Sequence, residues 1–173
     1  CCNVPAEIVH AAGMLAVRIL GEHEETDEAD LHYPTNVCPY PKSCFDQALK
    51  GKYNYLDGLV VPNVCDIIRA TYSFWKRNVG TPWSYFLEVP QKISERGTEY
   101  YADELRRFAR SLGELSGQTV TDDALLESIA LYNENRALLK RVYQLKQLQS
   151  PVVRASDAQA IVISSMIVPK EKH

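Results

Sequence analysis

At 173 residues, 46% of them hydrophobic, the chain is long enough for one domain with its own core and too apolar to be disordered. Nineteen lysines and arginines against 22 aspartates and glutamates give a net charge of −3 with no basic stripe, which argues against a nucleic-acid partner. No apolar run reaches the ~18 residues of a membrane span.

The chain opens Cys1-Cys2-Asn3, without methionine, basic n-region or apolar h-region. No signal peptide is expected there, and the natural beginning is expected to lie upstream. Asn3-Val4-Pro5 reads as a helix start, with Asn3 as N-cap and Pro5 in the first turn. Ile8, Ala11, Ala12 and Leu15 then recur at helical spacing. The run LAVRIL (15–20) is of β type, and the acidic GEHEETDEAD (21–30) reads as a solvated loop. In NVCPYPKSC the prolines Pro39 and Pro41 are expected to stiffen a loop before a short helix, PKSCFDQALKG. LDGLVVP (56–62) predicts a buried strand, CDIIRATYSFWKR (65–77) a helix and SYFLEVP (84–90) a second strand. Strands alternating with helices of this length imply an α/β fold, with helices on the faces of a parallel sheet. Residues 98–117 predict a helix ending at Gly117, and Thr121 with Asp122 and Asp123 opens a long one. Leu125, Ile129, Tyr132, Leu139 and Val142 form its apolar stripe. Pro151 interrupts, and 156–173 predicts a last helix that stops at Pro169. The chain thus divides into an α/β part, 1–95, and a helical part, 96–173.

Cysteines 1, 2, 38, 44 and 65 all fall in the first 65 residues, and their odd number argues against full disulfide pairing. A reducing compartment, the cytoplasm, is expected. Cys65 stands where a strand run gives way to a helix, and Cys38 stands just before another helix. In open α/β sheets such edges form the functional crevice, and helix N-termini favour thiolate over thiol. Two thiols so placed could ligate a soft metal centre. A lone cysteine after a strand is also an ordinary core residue, and Cys44, on a helix face with Ala48, reads that way. The spacing matches neither CxxC nor a compact ferredoxin run. A non-catalytic domain holding zinc through Cys38, Cys44, Cys65 and His32 therefore stays open.

Longer segments carry a resemblance. VPAEIVHAAGMLAVRILG, NVCPYPKSCFDQALKGKYNYLDGLVVPNVCDIIRATYSFWK, YFLEVP and LYNENRALLKRVYQL resemble, in that order, the 2-hydroxyacyl-CoA dehydratase and benzoyl-CoA reductase family. The likeness covers nearly the whole chain, and HYPTNVCPYPKSCFDQALKG looks more like the reductase branch. The resemblance implies a Rossmann- or flavodoxin-like sheet followed by a helical segment. It further implies a subunit that holds one [4Fe–4S] cluster on three cysteines, of which Cys38 and Cys65 match two. The third is expected outside this chain, which resembles roughly the front half of a subunit. Glu7 matches a glutamate that reaches the cluster in some subunits; it equally suits the first turn of a helix. The implied partners are a homologous sister subunit, an ATP-hydrolysing iron–sulfur activator and an aromatic or 2-hydroxy acyl-CoA substrate. Reduction of the thioester to a ketyl-type radical anion then leads to loss of water or to a dearomatised ring. A double-cubane cluster reductase is a further relative of this kind. His10 and His32 are the candidate proton donors. Tyr33, Tyr40 and Trp75 could line the substrate cavity, and Lys42 and Arg69 could face CoA phosphates. The acyl group itself is not legible.

Overall fold

The computed structural model describes residues 3–148 and 152–173, so Cys1, Cys2 and the expected break at Pro151 lie outside the described residues. In chain order the elements are α1 (Ala6–Ala11), α2 (Asp27–Asp30), α3 (Pro39–Leu49), β1 (Gly58–Pro62), α4 (Asp66–Asn78), β2 (Trp83–Leu87), α5 (Glu95–Ser116), α6 (Asp122–Lys146), α7 (Ala155–Ser164) and a 3-10 turn (Lys170–Lys172). They form two compact units. The first comprises Cys1–Val4 with Ile19–Phe108, the second Pro5–Arg18 with Ala109–His173. Helix α5 contributes to both.

The first unit is built on a β-α-β core. β1 and β2 pair in parallel, Gly58 opposite Trp83 through to Pro62 opposite Leu87. The expected parallel sheet is present. It has two strands among the described residues, short of a doubly wound sheet. α4 connects the strands and buries Ile68, Thr71 and Trp75, one stripe at helical spacing. α3 packs against α4 and is enclosed along most of its length, with Cys44, Phe45, Asp46, Gln47 and Ala48 all buried. Phe45 and Ala48 join Tyr33, Leu59, Val61 and Trp75 in one core. Trp75 Nε1 donates to Thr81 Oγ1 at 2.8 Å, and the Tyr33 hydroxyl donates to Thr71 Oγ1 at 2.6 Å.

The prolines of NVCPYPKSC correct one expectation. Pro39 and Pro41 occupy the first turn of α3 instead of stiffening a loop before it. A helix leaves its first N–H groups unbonded, so two residues without N–H fit there at no cost. α3 then ends in a Schellman motif: Gly51, at φ 77°, donates to Ala48 O, and Lys52 N donates to Gln47 O. The acidic stretch 21–30 is not wholly loop, because its end folds as α2. Ala29 there is fully buried, and its N–H donates to Asp46 Oδ1 at 3.0 Å.

In the second unit α1 and α7 pack on α6. Helix α1 starts at Ala6 with Pro5 in the cap position, so Asn3 does not cap it. It closes on Gly13 (φ 74°) with the same paired bonds, Gly13 N to His10 O and Met14 N to Val9 O. Thr121 caps α6 as expected, its Oγ1 accepting from Ala124 N at 3.2 Å. The buried line of α6 differs from the apolar stripe: it runs through Ser128, Tyr132 and Asn135, whereas Ile129 is exposed. Ser128 and Asn135 can be buried because each is hydrogen-bonded to a histidine, Ser128 to His10 and Asn135 to His173. Residues 15–20 form no strand. A β-type run needs a ladder to join; here Arg18 N donates to Met166 O at 2.9 Å. α7 also ends before Pro169, at Ser164. No described helix is long and apolar enough to cross a membrane.

Candidate functional site

Cys38 and Cys65 hold equivalent places in the first unit. Each is the N-cap residue of its helix, Cys38 of α3 and Cys65 of α4, and neither side chain makes a capping hydrogen bond. Both are exposed, and neither forms a disulfide. The residue before each, Val37 and Val64, packs against the same hydrophobic core, which anchors the chain on the way into the helix. Cys65 also follows the C-terminal end of β1, where Asn63 N donates to Leu87 O at 2.8 Å and Asn63 Nδ2 to Glu88 Oε2 at 2.7 Å. The result is two uncommitted sulfurs at the heads of two helices that pack together. Cys44 is different in kind, buried at 7% exposure within α3.

The other candidates divide between the units. His32, in the first, is partly buried and packs edge-on against Phe45 at 5.3 Å and near Phe74 at 5.8 Å. Tyr33 and Trp75 are core residues at 6% and 2% exposure, so they do not line an open cavity. Tyr40 is exposed, and its hydroxyl donates to Ile19 O. Lys42 pairs with Asp30, and Arg69 pairs with Asp66 at 3.0 Å, so both cations already face carboxylates. The Lys42 ammonium and the Thr26 hydroxyl hold the Asp30 carboxyl below its usual range.

Glu7 and His10 lie in the second unit, one turn apart on α1. The Glu7 carboxylate is 14% exposed and pairs with Arg136 of α6. His10 is held at both nitrogens, Nδ1 by Ser128 Oγ at 2.7 Å and Nε2 by Glu171 Oε1 at 2.8 Å. The imidazole holds the Glu171 carboxyl below the ordinary range. The ring meets Tyr132 edge-on at 5.8 Å. Arg136, Ser128 and Glu171 escaped sequence reasoning because they stand 118 or more positions from their partners, and no local pattern joins them. The same unit holds a cavity of about 440 Å³ lined by Leu138, Val142, Ile161, Val168 and His173. None of the expected site residues lines it.

Among the described residues no three His, Cys, Asp or Glu side chains converge as a metal site. The zinc quartet of Cys38, Cys44, Cys65 and His32 therefore has no geometric support, and Cys44 is withdrawn into the core. The donor chemistry does suit a softer group held in part from elsewhere: two exposed thiols, of the type that binds iron–sulfur clusters, at uncommitted helix caps.

Comparison with known proteins decides the family. The 2-hydroxyglutaryl-CoA dehydratase, D-component family model matches residues 1–173. The chain belongs to that family. Among its relatives it is 35% identical over 173 residues to a benzoyl-CoA reductase subunit of Thauera aromatica, covering 98% of this chain and 45% of that protein. It is 26% identical to the (R)-phenyllactyl-CoA dehydratase beta subunit of Clostridium sporogenes, covering 98% of this chain and 46% of that one. It is 25% identical to the beta subunit of (R)-2-hydroxyglutaryl-CoA dehydratase of Acidaminococcus fermentans, with 98% and 46% covered. This family member thus spans a little under half the length of the relatives it matches.

Proposed function

We propose that this chain is part of a subunit of an ATP-dependent radical acyl-CoA enzyme, of the benzoyl-CoA reductase type, in which Cys38 and Cys65 hold two irons of a [4Fe–4S] cluster. The observation that carries the reading is the pair of exposed, uncapped, disulfide-free thiols at the heads of α3 and α4, in a member of this family. Residues 1–95 form the cluster-binding part and 96–173 the helical part. A third cysteine comes from outside this chain, and Glu7 is a fourth-ligand candidate.

Such a cluster supplies low-potential one-electron transfer to a CoA thioester; the protein supplies position, dryness and protons. In this chain Val37 and Val64 fix where the two sulfurs leave the backbone. Arg136 holds one oxygen of the Glu7 carboxylate, Oε1, which leaves Oε2 as the atom that would meet a metal. His10 donates a proton to substrate only by leaving Glu171 or Ser128, since both nitrogens are engaged. His32 has no such partner among the described residues, and its aromatic contacts make it a packing group first. The partners of this reading are a sister subunit, an ATP-hydrolysing iron–sulfur activator and an aromatic acyl-CoA, in a reducing cytoplasm.

The test is anaerobic reconstitution of the protein that contains this chain. Iron and sulfide in equal amounts, with the brown colour of a cluster, are expected; stoichiometric zinc without colour overturns the proposal. The 25–26% identity to dehydratase subunits favours one alternative substrate, a 2-hydroxyacyl-CoA. Assays with benzoyl-CoA and with (R)-2-hydroxyacyl-CoA esters, with activator and ATP, separate the two.

A further inference from the structure

Glu104 of α5 carries a carboxylate into the interior, at 5% exposure. Burying a charge is costly, and an apolar side chain would fill the same space without that cost. Its two oxygens show what it holds. Oε2 accepts from Arg107 Nη2 at 2.7 Å and Nε at 3.0 Å, and Oε1 accepts from the Tyr85 hydroxyl at 3.1 Å and from Glu88 N at 3.3 Å. Glu88 directly follows β2, and its own carboxylate reaches across to the end of β1, where Oε2 accepts from Asn63 Nδ2 at 2.7 Å. Asn63 N donates to Leu87 O at 2.8 Å, so Asn63 is held by backbone and side chain together. Only Val64, packed on the core, separates it from Cys65. On the other side Cys65 O accepts from Arg69 N at 3.0 Å as α4 begins. We infer that the Asn63–Glu88 bridge, backed by Glu104, is a positioning device for Cys65.

The inference rests on Cys65 being a cluster ligand. A ligand binds a metal centre best when its place is fixed beforehand, and the groups that fix it typically matter about 10–100-fold in metal affinity. Asn63 and Val64 lie beyond Pro62, the last paired residue of β1, and before Asp66, the first residue of α4. Cys65 itself is extended, at φ −163° and ψ 165°. Neither the ladder nor the helix therefore fixes this segment along its length, and the side-chain bridge does so instead. An amide that donates to a carboxylate forms a charge-assisted bond, roughly twice as strong as a neutral one. The bridge needs a donor at position 63 and an acceptor at position 88. Asn63→Asp sets two carboxylates against each other, whereas Glu88→Gln still presents an acceptor oxygen.

Two measurements on the protein that contains this chain test the device. Amide hydrogen exchange at residues 63–65 of the metal-free form reads the bridge, and the rate of iron loss to a chelator after reconstitution reads the cluster. Asn63→Asp and Glu88→Ala should exchange faster at 63–65 and lose iron about tenfold faster than wild type. Glu88→Gln should stay near wild type in both. The double variant Asn63→Asp/Glu88→Gln should also return to near wild type, because the glutamine amide now donates to the aspartate. A bridge that serves stability alone would change exchange and Tm but leave iron loss untouched, and that result overturns the inference. So does a double variant no better than Asn63→Asp, or a Glu88→Gln that loses iron as fast as Glu88→Ala. If wild type takes up no cluster, it is the proposed function that fails. Exchange then still decides the bridge: rescue in the double variant upholds it, and equal exchange in every variant overturns it.

Discussion

The three described cysteines should separate stability from iron content, with opposite signs. Cys44 is 7% exposed in the middle of α3. Cys44→Ala deletes one buried heavy atom, comparable to deleting one buried methyl group, and should cost about 1 kcal/mol. In a chain of 150–250 residues that lowers Tm by ~2–4 °C. Cys65 is exposed, caps α4 and makes no capping bond, so Cys65→Ser removes no stabilising contact and adds a hydroxyl that Ile67 or Ile68 N–H can reach. Its Tm should hold or rise, by up to ~1 kcal/mol of stability. Cys38→Ser should gain less, because the N3 residue of α3 is Pro41, which has no N–H to give. Iron content should run the other way: near normal in Cys44→Ala and strongly reduced in both serine variants, since a hydroxyl replaces a soft thiolate. Thermal melts of the cluster-free protein, with iron and sulfide analysis after anaerobic reconstitution, read both quantities. If Cys44→Ala loses iron while Cys38→Ser keeps it, the ligand assignment is refuted.

Further outcomes follow from the same contacts. Trp75→Ala removes a 2%-exposed ring and the Nε1 bond to Thr81, and should cost about 3–5 kcal/mol in denaturant melts. Thr121→Ala removes the α6 cap and should cost about 1 kcal/mol by the same measurement. Alkali should unfold the protein through its tyrosines. Burial, then the Glu7 and Glu171 charges, raises the Tyr132 hydroxyl from 10.0 to about 12; burial, then Glu104, raises Tyr85 to about 12. A raised acid holds its proton longer when folded, so its stability contribution is complete below pH 10.0 and is lost as pH rises towards 12. For Tyr132 the two-unit difference corresponds to at most ~3 kcal/mol, and Tyr132→Phe should flatten stability against pH over that window. An unchanged slope would refute the burial argument.

How much of this was legible in the sequence depended on the range of the interaction concerned. Local physics determined the β-α-β run 58–87, the Thr121 cap, and the two thiols at the heads of α3 and α4, because hydrophobic period, capping chemistry and strand-to-helix switches are written within a few residues. The prolines at 39 and 41 were misplaced by one step, since a first helical turn and a stiff loop carry the same residues. LAVRIL had the composition of a strand, but a strand exists only when another offers its ladder, and composition cannot show whether one does. The Glu7–Arg136 pair, the His10 clamp between Ser128 and Glu171, and the two cations over Tyr132 were decided by the tertiary structure alone. Each joins residues whose own neighbours in sequence say nothing about them. Such pairs form only once α1 and the 3-10 turn have packed on α6, and burial of Ser128 there obliges its hydroxyl to find a partner.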